Sequence, residues 1–176
     1  IRLGSGVETI GSSAFYGCKQ LAAINLNGAV KSIGSSAFYN CEKLESVLLG
    51  SSLTSIGGSA FSGCILIETV TIPKNVTNIG SNAFQNSVTK IIFESGTESI
   101  PVNACSGANK LTEVEIPPTV TEIGSNAFYG CTALEKITLS VNITKLGSSV
   151  FYNCSALKTI TIPKTLTTIG TSCFYN

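Results

Sequence analysis

The chain has 176 residues, of which 43% are apolar and 12% are charged, and its formal net charge is +1. This composition excludes intrinsic disorder, which requires low hydrophobicity and high net charge, and it provides no basic footprint for nucleic acid. No apolar run reaches the roughly 18 residues that a membrane-spanning helix needs, so we expect neither a nucleic-acid partner nor membrane insertion by this part of the chain.

A phrase of the form Ile-Gly-x-x-Ala-Phe recurs along the chain, and a constant period of this kind predicts a solenoid whose coils stack on one another. Its first residue returns every 23 residues, apart from one step of 21, at positions Ile10, Ile33, Ile56, Ile79, Ile100, Ile123, Leu146 and Ile169. We therefore expect one domain over residues 1–176 with about eight coils, the first and last incomplete. Because the chain begins and stops within a repeat, we also expect it to be part of a longer protein.

Each repeat holds one stretch in which β-branched and polar residues alternate, such as Thr-Val-Thr-Ile at residues 69–72. Strict alternation predicts a half-buried strand, and Pro73 ends this one because proline has no backbone N–H for a ladder. The glycine of the phrase is expected to permit a turn, and the Ala-Phe pair to lie in a segment too short for an α-helix. The sequence thus predicts a solenoid with one short parallel β-strand per 23-residue repeat and little α-helix.

Residues at equivalent positions of successive repeats form columns, and identical columns stack in a solenoid. Five of the seven cysteines share one column: Cys18, Cys41, Cys64, Cys131 and Cys154. No Cys-x-x-Cys pair supports a metal cluster, so we expect buried, reduced thiols that act as small apolar residues. Disulfides between neighbouring coils are the alternative, because the spacing of strands lies within the range that a disulfide bridges.

The charged residues also follow the columns. Opposite charges are predicted to meet between neighbouring coils at Glu8 and Lys31, Lys19 and Glu42, Glu122 and Lys145, Glu135 and Lys158, and along the column Lys90, Glu113 and Lys136. Glu113 and Glu115 lie two residues apart on one strand face, and such a carboxylate pair could support glycoside hydrolysis. The charge ladder is the favoured interpretation because it accounts for Glu113 and the other pairs together.

The chain contains neither histidine nor aspartate. This absence removes the Ser-His-Asp and Cys-His nucleophile systems and most zinc sites. We therefore expect a non-enzymatic protein with no cofactor and no metal.

Two repeats depart from the regular pattern. The fourth repeat is two residues short near Ser87, and the fifth has Pro101, Cys105 and Ala108 in the Gly, Phe and Cys columns. This irregularity is interpreted either as a neutral deletion or as a bend or ligand notch.

All five tyrosines follow a core column and are expected to face outward, as a shield over the turn or as a recognition surface: Tyr16, Tyr39, Tyr129, Tyr152 and Tyr175.

The repeat resembles the BspA-type, or Treponema-type, leucine-rich repeat over essentially the whole chain. Residues 69–84, which read Thr-Val-Thr-Ile-Pro-Lys-Asn-Val-Thr-Asn-Ile-Gly-Ser-Asn-Ala-Phe, carry the resemblance most fully. It implies a leucine-rich-repeat solenoid that is secreted or held at the cell surface. It also implies adhesion to a protein ligand, either a host extracellular-matrix protein or a protein of another microbe.

The favoured hypothesis is a protein-binding module of a surface adhesin, and the alternative is a structural spacer that self-associates end to end through its open coil ends. For the module we predict contacts on the outward side of the strands, because a shallow ladder has no deep pocket for a small molecule. The predicted contact residues combine both charge signs with one outward isoleucine: Lys90, Ile92, Glu113, Glu115, Lys136 and Thr138.

Overall fold

The computed structural model describes residues 1–26 and 28–176, which form fifteen short strands and no α-helix. In chain order the strands are β1 (Thr9–Ile10), β2 (Ala23–Asn25), β3 (Ser32–Ile33), β4 (Ser46–Leu48), β5 (Ser55–Ile56), β6 (Thr69–Ile72), β7 (Asn78–Ile79), β8 (Lys90–Phe93), β9 (Ser99–Ile100), β10 (Glu113–Glu115), β11 (Glu122–Ile123), β12 (Lys136–Ile137), β13 (Lys145–Leu146), β14 (Thr159–Ile160) and β15 (Thr168–Ile169).

The parallel solenoid predicted from the period is confirmed, and pairing partners such as Ile10 and Ile33 lie one repeat apart. The even-numbered strands hold the alternating stretch and form three sheets, β2–β4, β6–β8–β10 and β12–β14. The odd-numbered strands end at the first residue of the repeated phrase and form two sheets, β1–β3–β5–β7 and β9–β11–β13–β15.

The prediction of one strand per repeat was wrong, because the odd-numbered strands add a second one to each coil. Each of these strands has only two residues, such as Ser55 and Ile56 in β5. Two residues are too few to display the alternation from which a strand is recognised in a sequence. The stacking of the coils brings their backbones into pairing distance without that signal.

The inside of the coils is filled by the Ile, Leu, Phe and Cys columns. Rings of the Phe column stack with nearly parallel planes, and the Phe38 and Phe61 centroids are 5.1 Å apart. The cysteine column is buried as predicted, except that Cys18 in the first coil is partly exposed, and all seven cysteines are free thiols. Several thiols also donate to a carbonyl of the preceding coil, as Cys64 does to Phe38 O at 3.0 Å.

The glycine of the repeated phrase is needed for close approach of coils rather than for a turn. A Cβ on Gly57 would lie 2.8 Å from the Cα of Ser35 in the preceding coil, and closer still to other backbone atoms. The left-handed backbone of the turn falls instead two residues later on serine or asparagine, as at Ser59 with φ of 54°. The expected role of this glycine was therefore wrong, since contacts between coils are invisible to a local turn rule.

The shortened repeat produces a seam between coil four (residues 70–90) and coil five (residues 91–113). The sheet β6–β8–β10 crosses it without a break, but β7 and β9 belong to different sheets. Beyond the odd-numbered strands each coil has a segment named the arc, which runs from the repeated glycine to the cysteine column. Elsewhere the backbone of one arc donates hydrogen bonds to the arc of the next coil, as Phe61 N–H does to Ala83 O. By repeat position, Asn82 N–H at the seam should donate to a carbonyl four residues before Ser106 in the chain. It donates instead to Ser106 O, at 3.1 Å.

Candidate protein-binding surface

The strand face, defined as the outward side of the even-numbered strands, is positioned by the alternation of each strand. In β6 Val70 and Ile72 point into the core while Thr69 and Thr71 are exposed. Strand register and repeat position group the outward residues into two columns. The first contains Ala23, Ser46, Thr69, Lys90, Glu113, Lys136 and Thr159, and the second contains Asn25, Leu48, Thr71, Ile92, Glu115, Thr138 and Thr161.

A charged cluster occupies the centre of the strand face. Lys90 Nζ lies 2.7 Å from Glu113 Oε1 and also contacts the carboxylate of Glu115. Lys90 donates hydrogen bonds to these two carboxylates, and these bonds, the one to Glu113 first, raise the pKa of Lys90 by stabilising its ammonium form. Both carboxylates remain more than half exposed. The cluster therefore carries one net negative charge that stays available to a partner.

An apolar line runs beside this cluster along the second column. Leu48 is 63% exposed, Thr71 is exposed and Ile92 is half-buried. Strands β4 and β6 are neighbours but are not paired in one sheet. The space between them is an open cleft of about 350 Å³, lined in part by Leu48, Thr71 and Pro73. Apolar contacts beside charged groups are typical of protein-interaction surfaces.

Four of the six predicted contact residues lie together on two paired strands, with Lys90 and Ile92 on β8 and Glu113 and Glu115 on β10. Lys136 and Thr138 are exposed on the next coil, but β12 is not in the same sheet as β10. Register places Ile92 between Thr71 and Glu115, and these neighbours leave it only half-exposed.

The predicted contact residues did not include Leu48, which is more exposed than Ile92 in the same column. Its sequence signal is a leucine at an outward position of the alternating stretch, where polar residues are usual.

The charge ladder is confirmed between neighbouring coils. The predicted pairs form at 2.5–2.9 Å: Glu8–Lys31, Lys19–Glu42, Lys90–Glu113, Glu122–Lys145 and Glu135–Lys158. The prediction that Glu113 also pairs with Lys136 was wrong. Within the described residues Lys136 has no ion pair, because the break between β10 and β12 separates Glu113 from Lys136 within the first column.

The fold and this face define a parallel β-solenoid of the leucine-rich-repeat class, a class of protein-interaction module. The chain belongs to the family of the BspA-type leucine-rich-repeat region, whose model spans six copies of the repeat and matches residues 1–89 and 85–176. The predicted leucine-rich-repeat solenoid with little α-helix and the resemblance are thereby confirmed.

Three solved structures are similar to the chain. A leucine-rich cell-surface protein of Faecalibacterium prausnitzii is 34% identical with a TM-score of 0.66, and the match covers 88% of this chain and 42% of that protein. A leucine-rich-repeat protein of Bacteroides ovatus is 28% identical with a TM-score of 0.69, covering 94% and 50%. A leucine-rich-repeat protein of T. pallidum is 27% identical with a TM-score of 0.61, covering 96% and 71%.

The chain thus spans half or less of the length of the first two of these structures. Comparison with curated protein sequences gives no match. Across residues 1–26 and 28–176 there is no helix of the length and apolar character needed to cross a bilayer. The F. prausnitzii protein is described as a cell-surface protein, which agrees with the location implied by the sequence resemblance.

Proposed function

We propose that this chain is the protein-binding repeat module of a cell-surface adhesin and that its partner binds the strand face. The observation that carries the proposal is the apolar line Leu48–Thr71–Ile92 beside the Lys90 cluster on the outward side of the strands. The family and the surface location of the F. prausnitzii protein support it. A few residues near the centre of an interface usually carry most of its binding energy, and the contacts around them exclude water.

The proposed contact surface consists of Lys90, Ile92, Glu113, Glu115, Lys136 and Thr138, extended by Leu48. Its partner is a protein of the host extracellular matrix or of another microbe, with apolar side chains for Leu48 and Ile92. A basic group on that partner would approach the exposed oxygens of Glu113 and Glu115. The charges orient the partner and the apolar contacts supply most of the affinity.

The experiment presents immobilised chain to solubilised extracellular-matrix and mucosal proteins and then measures binding of each captured protein in purified form. The proposal predicts saturable binding of at least one purified protein by a monomeric chain. A spacer would behave differently: light scattering would show assembly that increases with concentration, and no purified protein would bind. That outcome would replace the adhesin proposal by end-to-end self-association.

A further inference from the structure

The column of tyrosines on the arc surface is interrupted over three coils, and the seam lies within this gap. Tyrosines stack in two separate groups, Tyr16–Tyr39 at 5.0 Å and Tyr129–Tyr152–Tyr175 at 4.9 and 5.0 Å between centroids. The three intervening coils carry Ser62, Gln85 and Ser106 at the equivalent positions. Tyr129 therefore has a ring on the side of Tyr152 and only the small Ser106 on the other. One aromatic face at the edge of the second stack is left without a stacking ring.

An open cavity of about 440 Å³ lies on that side of Tyr129. Its walls come from both sides of the seam. Asn82 and Gln85 lie in coil four, Asn103 and Ser106 lie in coil five, and Asn126 lies in the coil that follows coil five. The slipped bond from Asn82 N–H to Ser106 O holds the two arcs together in this offset position. The cavity thus exists because the fourth repeat is short and its arc is displaced along the next one.

The lining is uncharged and rich in amides. All nine residues that line the cavity are neutral at pH 7. Within the described residues the amide side chains of Asn82, Gln85, Asn103 and Asn126 have no hydrogen-bond partner, although Asn82 Oδ1 packs against the backbone of Gly107. Each amide offers both donors and an acceptor. The site therefore presents one flat aromatic face and several free groups that match neighbouring hydroxyls.

We propose that this cavity binds an uncharged pyranose, with the apolar face of the sugar ring against Tyr129 and its hydroxyls on the surrounding amides. A sugar whose hydroxyls are equatorial exposes C–H groups on both ring faces and hydroxyls around its edge, which is the pattern that the lining complements. A charged ligand would find no opposite charge in the lining. This site lies on the arc surface and is independent of the strand face.

The test titrates the purified chain with two neutral probes, cellotriose and the trimer of β-1,4-linked N-acetylglucosamine, and follows binding by saturation-transfer NMR and calorimetry. At least one probe is expected to bind, with contacts from the C–H groups of one sugar face. Tyr129→Ala should weaken this binding about tenfold or more, which is the effect of losing a principal contact. Tyr129→Phe keeps the ring and should remain within about threefold of wild type.

Matched variants distinguish the site from general surface effects. Tyr39→Ala removes the tyrosine at the other end of the gap, which does not line the cavity, and should leave saccharide binding unchanged. Gln85→Ala should weaken binding, and circular dichroism verifies that each variant is folded. Ile92→Glu with Glu115→Lys should bind the saccharide normally, so failure of the strand-face proposal would not affect this one.

Two outcomes would overturn the proposal. The first is that neither probe binds at about 10 mM, where even millimolar affinity would be detected. The second is that wild type and a folded Tyr129→Ala variant bind the saccharide equally.

Discussion

The ring of Phe61 stacks on the ring of Phe84, with centroids 5.7 Å apart and planes only 3° apart. This contact is the last step of a stack that begins at Phe15, because the next coil has Cys105 in the Phe column. A second stack starts at Phe128. The aromatic core is thus divided at the seam, which lies within the gap of the tyrosine column.

The Phe column should carry much of the stability. Phe61→Ala removes a fully buried ring with a stacking partner on each side and should lower the free energy of unfolding by about 3–5 kcal/mol. Lys136→Ala, at an exposed position without an ion pair, should change it by no more than about 1 kcal/mol. Chemical denaturation of both variants provides the comparison, and equal midpoints would refute the assignment of these columns.

Two adjacent glycines allow a matched test of how closely the coils approach. A Cβ on Gly57 would collide with the backbone of the preceding coil, whereas a Cβ on Gly58 would lie 3.4 Å from Ser81 O. Gly57→Ala should therefore cost about 1–3 kcal/mol, while Gly58→Ala should be within about 0.5 kcal/mol of wild type. Thermal unfolding measures both. A Gly57→Ala variant as stable as Gly58→Ala would contradict the role given to this column.

The parts of the fold that depend on the period could be predicted from the sequence. A constant spacing places residue i beside residue i+23, so the Glu135–Lys158 pair follows from counting alone. The same reasoning predicts the buried Phe and Cys columns. It fails for Lys136, because β10 and β12 are not paired and no residue type in the sequence indicates this break. The second strand of each coil was missed because two residues display no pattern.

The candidate site was less predictable than the fold. Alternation identifies which side chains of a strand face outward, but it does not show how exposed each of them is. The exposure of Leu48 depends on the cleft between β4 and β6, and the partial burial of Ile92 depends on its neighbours in the paired strands. The open face of Tyr129 depends on the slipped arcs at the seam. Each is a relation between coils rather than a property of one repeat.

The column cysteines should label slowly in the folded protein. Cys41, Cys64, Cys131 and Cys154 are buried, whereas Cys18 is partly exposed. A thiol reagent without denaturant should therefore modify Cys18 first, and all seven thiols should react after denaturation. Rapid native labelling of the four buried thiols would contradict their burial. Missing thiols after denaturation would reveal disulfides.

Stability should fall in alkaline solution because of these thiols. Burial raises the pKa of Cys64 from its ordinary 9.0 to about 12 and that of Cys154 to about 11. Above pH 9 the unfolded chain loses these protons before the folded chain does. The stability present below pH 9 is therefore lost progressively as the pH rises through the folded pKa values.

The measurement is denaturation at pH 8 and pH 10, where each such thiol should contribute a decrease of about 1 kcal/mol. Cys64→Ala removes one contribution and should make the decrease smaller, whatever its effect at pH 8. An identical pH dependence in Cys64→Ala and wild type would show that this thiol is not buried in its protonated form.

The most direct test of the proposed function compares one captured, purified partner protein against wild type and two double variants. Ile92→Glu with Glu115→Lys alters the strand face, and Tyr129→Ala with Tyr152→Ala alters the arc surface. The strand-face account predicts that the first variant weakens partner binding about tenfold or more and that the second binds like wild type. Loss of binding only in the tyrosine variant would contradict the account and move the protein-binding site to the arc surface.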